Sequence, residues 1–365
     1  MSIRSEQQHQ LLFRSMLIAL LAGLITLWGL LAIYRTLALN GNWEHFLLRQ
    51  GLWAAVAWII YWGMCRLDWD LLKRSAMPAA ALGAVALLLL PLCGISINGM
   101  CGWYTLSALT LQPSEIFKGF YILALVKIMQ QRNLSEIMKL VLAVMLIGAF
   151  ALLLFIQPDF GTMIVYLTGG ACALYFCGVR KRYLFAGAAA AVVAAVAAVV
   201  LHPYMQSRIL NFLDPEADPA GGGWHLRQFA ISVSRGEWFG VKGDMAVWSN
   251  SFLPLSHNDS IFAAMCEMLG FTGGAILLAL YVAWFYQMFA LVFWRRDPFR
   301  RALIASLAAM IMIQTILHIA VNLGLIPPTG ITLPLVSYGG SSLVGTMIML
   351  AIINIAGRSV PNKMQ

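Results

Sequence analysis

A few ionisable side chains interrupt long apolar stretches of this chain, and each could do chemistry. Asp259 stands in Leu253-Pro-Leu-Ser-His-Asn-Asp259-Ser-Ile-Phe, where a charged segment gives way to an apolar one. A carboxylate at such a boundary can take a proton from a hydroxyl nucleophile. Asp is also a favoured residue at a helix N-cap, which would give Asp259 a structural role only. The residues alone leave both interpretations open.

Two opposite charges open another apolar segment. Glu115 and Lys118 lie in Leu111-Gln-Pro-Ser-Glu-Ile-Phe-Lys118, and their spacing of three places them on one face of a helix. Charges inside apolar segments are expensive and are retained mainly when they are paired. The spacing predicts either a structural ion pair or a polar floor that faces a phosphate or a sugar.

Two further carboxylates are candidates. Asp159 lies in Gln157-Pro-Asp-Phe-Gly161, where it is either a turn residue or a functional group of a site. Glu267 follows Asp259 by eight residues, so the two could share a helix face. The alternative for Glu267 is a buried hydrogen bond between helices.

The segment Ile326-Pro-Pro-Thr-Gly-Ile-Thr-Leu-Pro-Leu-Val-Ser-Tyr-Gly-Gly-Ser-Ser342 combines prolines, glycines and hydroxyl groups between apolar stretches. Irregular backbone at membrane depth is tolerated where it is buried in protein or lines a wet cavity. We therefore expect a re-entrant loop or a broken helix beside the site, with Ser337 and Tyr338 in it. A simple polar hairpin is the alternative. No metal-binding His/Glu cluster, P-loop or serine nucleophile elbow is present.

Composition indicates which elements position these residues. Of 365 residues, 61% are hydrophobic and 11% are charged, well below the charged fraction of soluble domains. A helix needs about 20 mostly apolar residues to cross a bilayer. The chain is predicted to be an all-α, polytopic membrane protein with about ten transmembrane helices. The predicted spans are 15–34, 47–65, 76–94, 113–129, 139–157, 161–177, 183–201, 260–292, 302–326 and 333–356.

Charge distribution predicts the topology. Lys and Arg cluster after spans two, four, six and eight, whereas the loops after spans three, five and nine have none. The positive-inside rule puts both termini in the cytoplasm and one long loop, about 202–258, outside. The net charge of +9 thus reflects topology, and nucleic acid is not an expected partner. Cys93 and Cys101 flank an outside loop as free thiols or as a disulfide, which spacing cannot decide.

Several separate motifs together resemble one family across nearly the whole chain. The chain is similar to the SEDS family, the shape, elongation, division and sporulation proteins that include FtsW, RodA and SpoVE. The motifs, in family order, are Gln112-Pro-Ser-Glu-Ile-Phe-Lys118, Gln157-Pro-Asp-Phe-Gly-Thr162, Leu253-Pro through His257-Asn-Asp259, Glu267 through Gly270, and Thr329-Gly330 through Ser337-Tyr-Gly-Gly-Ser-Ser342. The resemblance implies a single SEDS-like membrane domain over 1–365.

The resemblance also implies an activity. Family members polymerise lipid II, the undecaprenyl-diphosphate-linked disaccharide pentapeptide, into glycan strands at the outer face of the cytoplasmic membrane. The family's proposed catalytic Asp falls on Asp259, and its loop Trp falls on Trp103. Expected partners are a class B penicillin-binding protein transpeptidase and other membrane proteins of division or elongation complexes.

An inverting transfer needs charge stabilisation at the leaving diphosphate. Cationic side chains would supply it, with or without Mg²⁺. Besides Glu115, Asp159 and His257, the substrate-binding candidates therefore include the following cations: Arg49, Lys118, Arg227 and Arg235.

The chain departs from the family pattern at some positions. Gly102 replaces the Arg that usually precedes the loop Trp, and Met268 replaces the second Glu of a Glu-Glu-Leu-Gly string. The Arg235-Gly-Glu237 stretch favours an FtsW-like division enzyme over a RodA-like elongation enzyme. A lipid II flippase and a non-catalytic scaffold are the alternatives. Clustering of the intramembrane charges toward the outer side favours the polymerase.

Overall fold

A computed structural model describes residues 3–38, 43–97, 99–106, 109–201, 203–217, 223–241, 247–253 and 255–358. Within these residues the chain forms thirteen helices and one small sheet. The helices are α1 (Ile3–Leu37), α2 (Trp43–Met64), α3 (Trp69–Cys93), α4 (Pro113–Met129), α5 (Glu136–Ile156), α6 (Phe160–Phe176), α7 (Lys181–Leu201), α8 (Pro203–Leu213), α9 (Trp224–Arg235), α10 (Val247–Ser251), α11 (Ile261–Phe293), α12 (Pro298–Asn322) and α13 (Gly340–Gly357).

All ten predicted spans fall on helices of the described part of the chain, which confirms the all-α membrane architecture. Six of these helices are long and apolar enough to cross a membrane by themselves: α1, α3, α5, α11, α12 and α13. The other four predicted spans coincide with α2, α4, α6 and α7, and α6 is a shorter apolar helix. The last span starts at Gly340 instead of residue 333, because the residues before it are irregular.

The helices that carry the candidate site pack into the centre of the bundle. α4 lies against α3 and α13, α6 lies against α12, and α1 lies against α11. Nearly every residue of α13 is buried, and Lys118 on α4 is fully buried. Apolar side chains on the periphery, such as Leu92 and Phe185, stay exposed, as expected of a lipid-facing surface.

The overlong eighth span is broken. Gly270 interrupts α11 with φ 67° and ψ −169°, a conformation that is strained for residues with a side chain. The break frees backbone groups, and a segment of the outside loop bonds to them. Phe271 N donates to the Glu237 carbonyl at 2.8 Å, and Val241 N donates to the Glu267 carbonyl at 2.9 Å. A helix break at membrane depth is thus satisfied by protein.

The long outside loop is partly helical in the described residues. α8 and α9 are amphipathic, and α9 packs against α11 through Phe229. Residues 218–222 and 242–246 of the predicted loop lie outside the described residues, as does the C-terminal Lys363.

A three-stranded antiparallel sheet stands between α3 and α4, where we predicted only a loop. Its strands are β1 (Ile95–Ile97), β2 (Met100–Leu106) and β3 (Leu109–Leu111), in the order β1-β2-β3. The strands are too short for their alternation to stand out beside apolar spans. Cys93 and Cys101 are free thiols, and Cys101 Sγ donates to the Leu90 carbonyl at 3.2 Å.

Candidate active site

Asp259 stands in a turn directly before α11. The N-cap position falls on Ser260, and no described contact has the Asp259 carboxylate capping the helix, so the capping alternative is wrong. Asn322 at the end of α12 holds the turn instead. Its Nδ2 donates to the Asp259 carbonyl at 2.8 Å, and its Oδ1 accepts from Ala263 N at 3.0 Å. The Asp259 turn is thus held through its backbone.

Burial changes the acidity of this carboxyl. It raises the pKa of Asp259 to about 6, while the Arg208 charge lowers that pKa and the Asp159 charge raises it further. A base works best when its pKa lies near the working pH. Asp259 therefore has the acidity expected of a general base that operates near neutral pH.

Asp159 is the second carboxylate of this region. It caps α6, since its Oδ1 accepts from Thr162 N at 3.1 Å, and its Oδ2 accepts from Gln112 Nε2 at 3.2 Å. Burial raises the pKa of Asp159 to about 6 despite these hydrogen bonds. Asp159 therefore has a structural role as the N-cap of α6, and its charge also acts on Asp259. Its role in the site stays a prediction.

One turn of the C-terminal motif touches the elements that carry both carboxylates. A Cβ added to Gly161 would stand 2.4 Å from the Thr329 carbonyl oxygen, so only glycine permits this approach. A Cβ added to Gly330 would stand 3.7 Å from Asp259 Oδ2. Asp259 and the start of α6 therefore both lie close to residues 329–330.

Three polar residues of α12 bond to the irregular motif and to the Asp259 turn. Gln314 Nε2 donates to the Thr332 carbonyl at 3.0 Å, and His318 Nδ1 bonds to the Ile331 carbonyl at 2.7 Å. Asn322 completes the row with its bond to Asp259. The prediction of irregular backbone buried in protein is confirmed. Our prediction omitted these three residues, although polar residues at intervals of four in an apolar span signal such a face.

The remainder of the motif is bonded to the Asp259 turn. Tyr338 N donates to the His257 carbonyl at 2.8 Å, and Ser337 Oγ donates to the Asn258 carbonyl at 2.8 Å. The rings of His257 and Tyr338 lie 5.4 Å apart, edge to face. Arg49 is close enough for its charge to act on Tyr338. The structure thus brings His257, Ser337, Tyr338 and Arg49 to the predicted site.

Glu115 and Lys118 form the predicted interior ion pair. Lys118 Nζ lies 2.5 Å from Glu115 Oε2, and both side chains are buried. Lys118 Nζ also donates to Gln314 Oε1 at 2.7 Å. The pair therefore connects through Gln314 to Thr332 of the C-terminal motif.

Two predicted phosphate-binding cations have carboxylate partners elsewhere. Arg235 Nε lies 3.0 Å from Glu267 Oε1, and Glu267 Oε2 accepts from Ser249 N at 2.6 Å. Arg227 Nε lies 3.7 Å from Glu216 Oε1. Glu267 thus makes the buried bond between helices, as its structural interpretation required.

The cation whose charge acts on Asp259 is instead Arg208 of α8. Its Nη1 donates to the Pro328 carbonyl at 2.9 Å, and its charge reaches Asp259. We did not predict Arg208 as a site residue, because it belongs to a loop with many charges and has no distinctive spacing.

Trp103 lies in β2, opposite Ile95. A Cβ added to the preceding residue, Gly102, would stand 3.8 Å from Gln112 Nε2, which binds Asp159. The same Cβ would stand 2.8 Å from Met100 Cε, so an arginine at position 102 would require the Met100 side chain to move.

The described residues contain no group of three or more His, Cys, Asp or Glu side chains placed to hold a metal ion. Asp159 and Asp259 are two carboxylates whose charges interact. Mg²⁺ accepts such a pair when phosphate oxygens and water complete its shell. A role for Mg²⁺ stays a prediction.

The chain resembles known proteins over almost its full length. The FtsW/RodA/SpoVE family, described as cell cycle proteins, matches residues 9–360. A probable peptidoglycan glycosyltransferase FtsW from Alkalilimnicola ehrlichii is 36% identical over 330 residues, which cover 86% of this chain and 80% of the relative.

Solved structures share the fold. A chain of a peptidoglycan synthase complex, described for its coordination of polymerization and crosslinking, superposes with a TM-score of 0.81 at 28% identity, over 93% of this chain and 96% of that one. The rod shape determining protein RodA of Thermus thermophilus superposes with a TM-score of 0.71 at 24% identity, over 93% and 95% of the two chains.

Proposed function

The chain belongs to the FtsW/RodA/SpoVE family of cell cycle proteins, and on that premise we propose that it is a peptidoglycan glycosyltransferase with Asp259 as its base. The observation that carries this proposal is the position of Asp259. Its partly buried carboxylate lies beside the turn 329–330, and the charges of Asp159 and Arg208 act on it.

The reaction follows from that position. The C4 hydroxyl of an acceptor N-acetylglucosamine attacks the anomeric carbon of a donor N-acetylmuramic acid, and Asp259 accepts the hydroxyl proton. Asp159 caps α6, whose start also lies close to residues 329–330, and there it can orient a sugar hydroxyl. The Glu115–Lys118 pair holds the motif through Gln314, which bonds to Thr332.

Lipid II is the proposed substrate, and the outer face of the cytoplasmic membrane is the proposed location. The relatives with the name FtsW, together with the Arg235-Gly-Glu237 stretch, support a role in division. A similar chain works in a peptidoglycan synthase complex, which supports a class B penicillin-binding protein as the partner. Such a partner would supply the crosslinking.

Purified protein supplied with lipid II tests the proposal. We expect glycan chains on a gel when the protein is combined with its cognate transpeptidase, and fewer chains from this protein alone. A transpeptidase whose active site has been inactivated by substitution should still support polymerisation, because crosslinking is a separate reaction. Movement of lipid II across liposomes without any glycan product from either preparation would favour a flippase and contradict the proposal.

The proposed topology has its own test. With both termini in the cytoplasm, a single cysteine at Glu216 should react with an impermeant maleimide in intact spheroplasts, since its side chain is exposed. A single cysteine at the exposed Arg182, after α6, is the control and should react only after lysis. The opposite labelling pattern would overturn the orientation.

A further inference from the structure

The leaving diphosphate needs a cation at the site. Of the four cations predicted for this role, Arg49 lies where its charge acts on Tyr338. Lys118, Arg227 and Arg235 each have a carboxylate partner: Glu115, Glu216 and Glu267, respectively. Lys118 is also fully buried, so a ligand cannot reach it without disrupting the ion pair. These three cations therefore serve mainly the fold of the protein.

Arg208 occupies a different environment. It is partly buried on α8, and its Nη1 donates to the Pro328 carbonyl at 2.9 Å. Pro328 stands two residues before Gly330, the residue that approaches Asp259 Oδ2. The guanidinium group is thereby attached to the same turn that touches the base. Its geometry, with several N–H donors in one plane, suits a phosphate as well as a carbonyl.

The charges around Arg208 support an anion site. Arg208 lowers the pKa of Asp259, which opposes the effect of burial and of Asp159 on that carboxyl. Burial lowers the pKa of His225 on α9, and the Arg208 charge lowers it further. Arg208 is thus the described arginine whose positive charge acts on the base.

We infer that Arg208 binds the diphosphate of the donor lipid beside Asp259, an inference that rests on the proposed glycosyl transfer. In that step the acceptor C4 oxygen forms a bond to the donor anomeric carbon while the bond from that carbon to the diphosphate oxygen breaks. The electron pair leaves with the diphosphate, where Arg208 stabilises the added charge. The hydroxyl proton goes to Asp259.

Arg208 then acts on both the leaving diphosphate and the base. It binds the leaving group, and it keeps Asp259 ionised at a pH where burial alone would protonate it. Removal of the charge therefore has two effects that a merely structural arginine would not combine. Affinity for the diphosphate falls, and the acidic limb of the pH–rate profile moves to higher pH.

Binding is measured on the Asp259→Asn background, where we expect turnover to be slow, with undecaprenyl diphosphate as the probe and undecaprenol as the uncharged control. We expect Arg208→Gln to weaken diphosphate binding about tenfold or more and to leave undecaprenol binding unchanged. Arg35→Gln, an exposed arginine at the same end of the bundle, is the matched control and should change neither. Unchanged diphosphate binding by Arg208→Gln would overturn the inference.

The pH–rate profile is measured with Asp259 intact. The wild-type rate should fall as pH drops through about 6, because the base must be deprotonated. Arg208→Gln should move that limb to higher pH, and Asp159→Asn should move it to lower pH, because the two charges act on Asp259 with opposite signs. An acidic limb that Arg208→Gln leaves in place would contradict the positioning role.

Arg208→Lys keeps the inference testable if the glutamine variant does not fold. It keeps the charge and loses the planar arrangement of donors, so we expect the wild-type acidic limb together with weaker diphosphate binding. Wild-type binding would overturn the inference. If Asp259 is not the base, the Asp259→Asn variant will still polymerise lipid II. In that case Arg208→Gln can still weaken diphosphate binding, so the two failures are distinguishable.

Discussion

Asp259→Asn should polymerise lipid II on the order of a hundredfold more slowly than the wild type, or worse, because a positioned base contributes about 10²–10⁴-fold. The asparagine has nearly the same size but cannot accept the hydroxyl proton. The helix start should survive the change, since Asn322 bonds to the backbone of residue 259 and not to its side chain. We expect normal membrane insertion and lipid II binding but a much lower rate of polymerisation.

The measurement is the initial rate of glycan formation at saturating lipid II, beside a binding assay. Asp297→Asn is the control, because Asp297 caps α12 through Phe299 N at 3.0 Å and lies at the other end of that helix from the Asn322 contact. It should polymerise at the wild-type rate. A near wild-type rate for Asp259→Asn would mean that Asp259 is not the base, and Asp159 would be the next residue to test.

Single substitutions of the Glu115–Lys118 pair should damage the protein more than the double substitution does. Glu115→Gln leaves a buried ammonium group, and Lys118→Met leaves a buried carboxylate. Loss of one partner of a buried pair costs about 3–5 kcal/mol, whereas replacing both partners is often neutral. We expect low expression and low activity from each single variant and partial recovery from Glu115→Gln/Lys118→Met.

The chain offers a matched pair for comparison. Glu136 and Lys139 have the same spacing, with Lys139 Nζ 2.7 Å from Glu136 Oε1, but the Glu136 side chain is 84% exposed. Only the Lys139 side chain is largely covered, at 12% exposed, so the charges of this pair remain in contact with water. Pairs at a solvated surface are worth about 0–1 kcal/mol, so the corresponding variants should fold and polymerise normally. A double-mutant cycle on thermal unfolding in detergent measures both couplings. Additive losses at residues 115 and 118 would show that the pair does not interact.

The spans were predictable because each needs a long apolar segment, and a bilayer enforces that requirement on composition. The spacing of Glu115 and Lys118 likewise predicted their contact, since a helix fixes which residues share a face. The 95–111 sheet was not predictable in the same way. Its strands have three to seven residues, and short apolar strands have no periodicity that separates them from neighbouring apolar helices.

The site was predictable only in part, for a related reason. Asp259 and Asp159 stand at ends of apolar segments, where a charge is conspicuous. Arg208 stands among other charges of a long loop, and only the fold brings it to Pro328. Arg235 looked equally suitable, but its contact with Glu267 depends on how α9 packs on α11, which the sequence does not encode locally.

The break in α11 fixes how the helix segment that follows Asp259 is rotated about its own axis. Between Asp259 and Gly270 the helix is anchored at two points, by Asn322 at its start and by the bonds of Val241 and Arg235 at Glu267. One inserted residue would turn one anchor by about 100° relative to the other and lengthen the segment by about 1.5 Å. Residues 261–266 are buried, so they should accept volume-conserving changes of side chain more readily than changes of length.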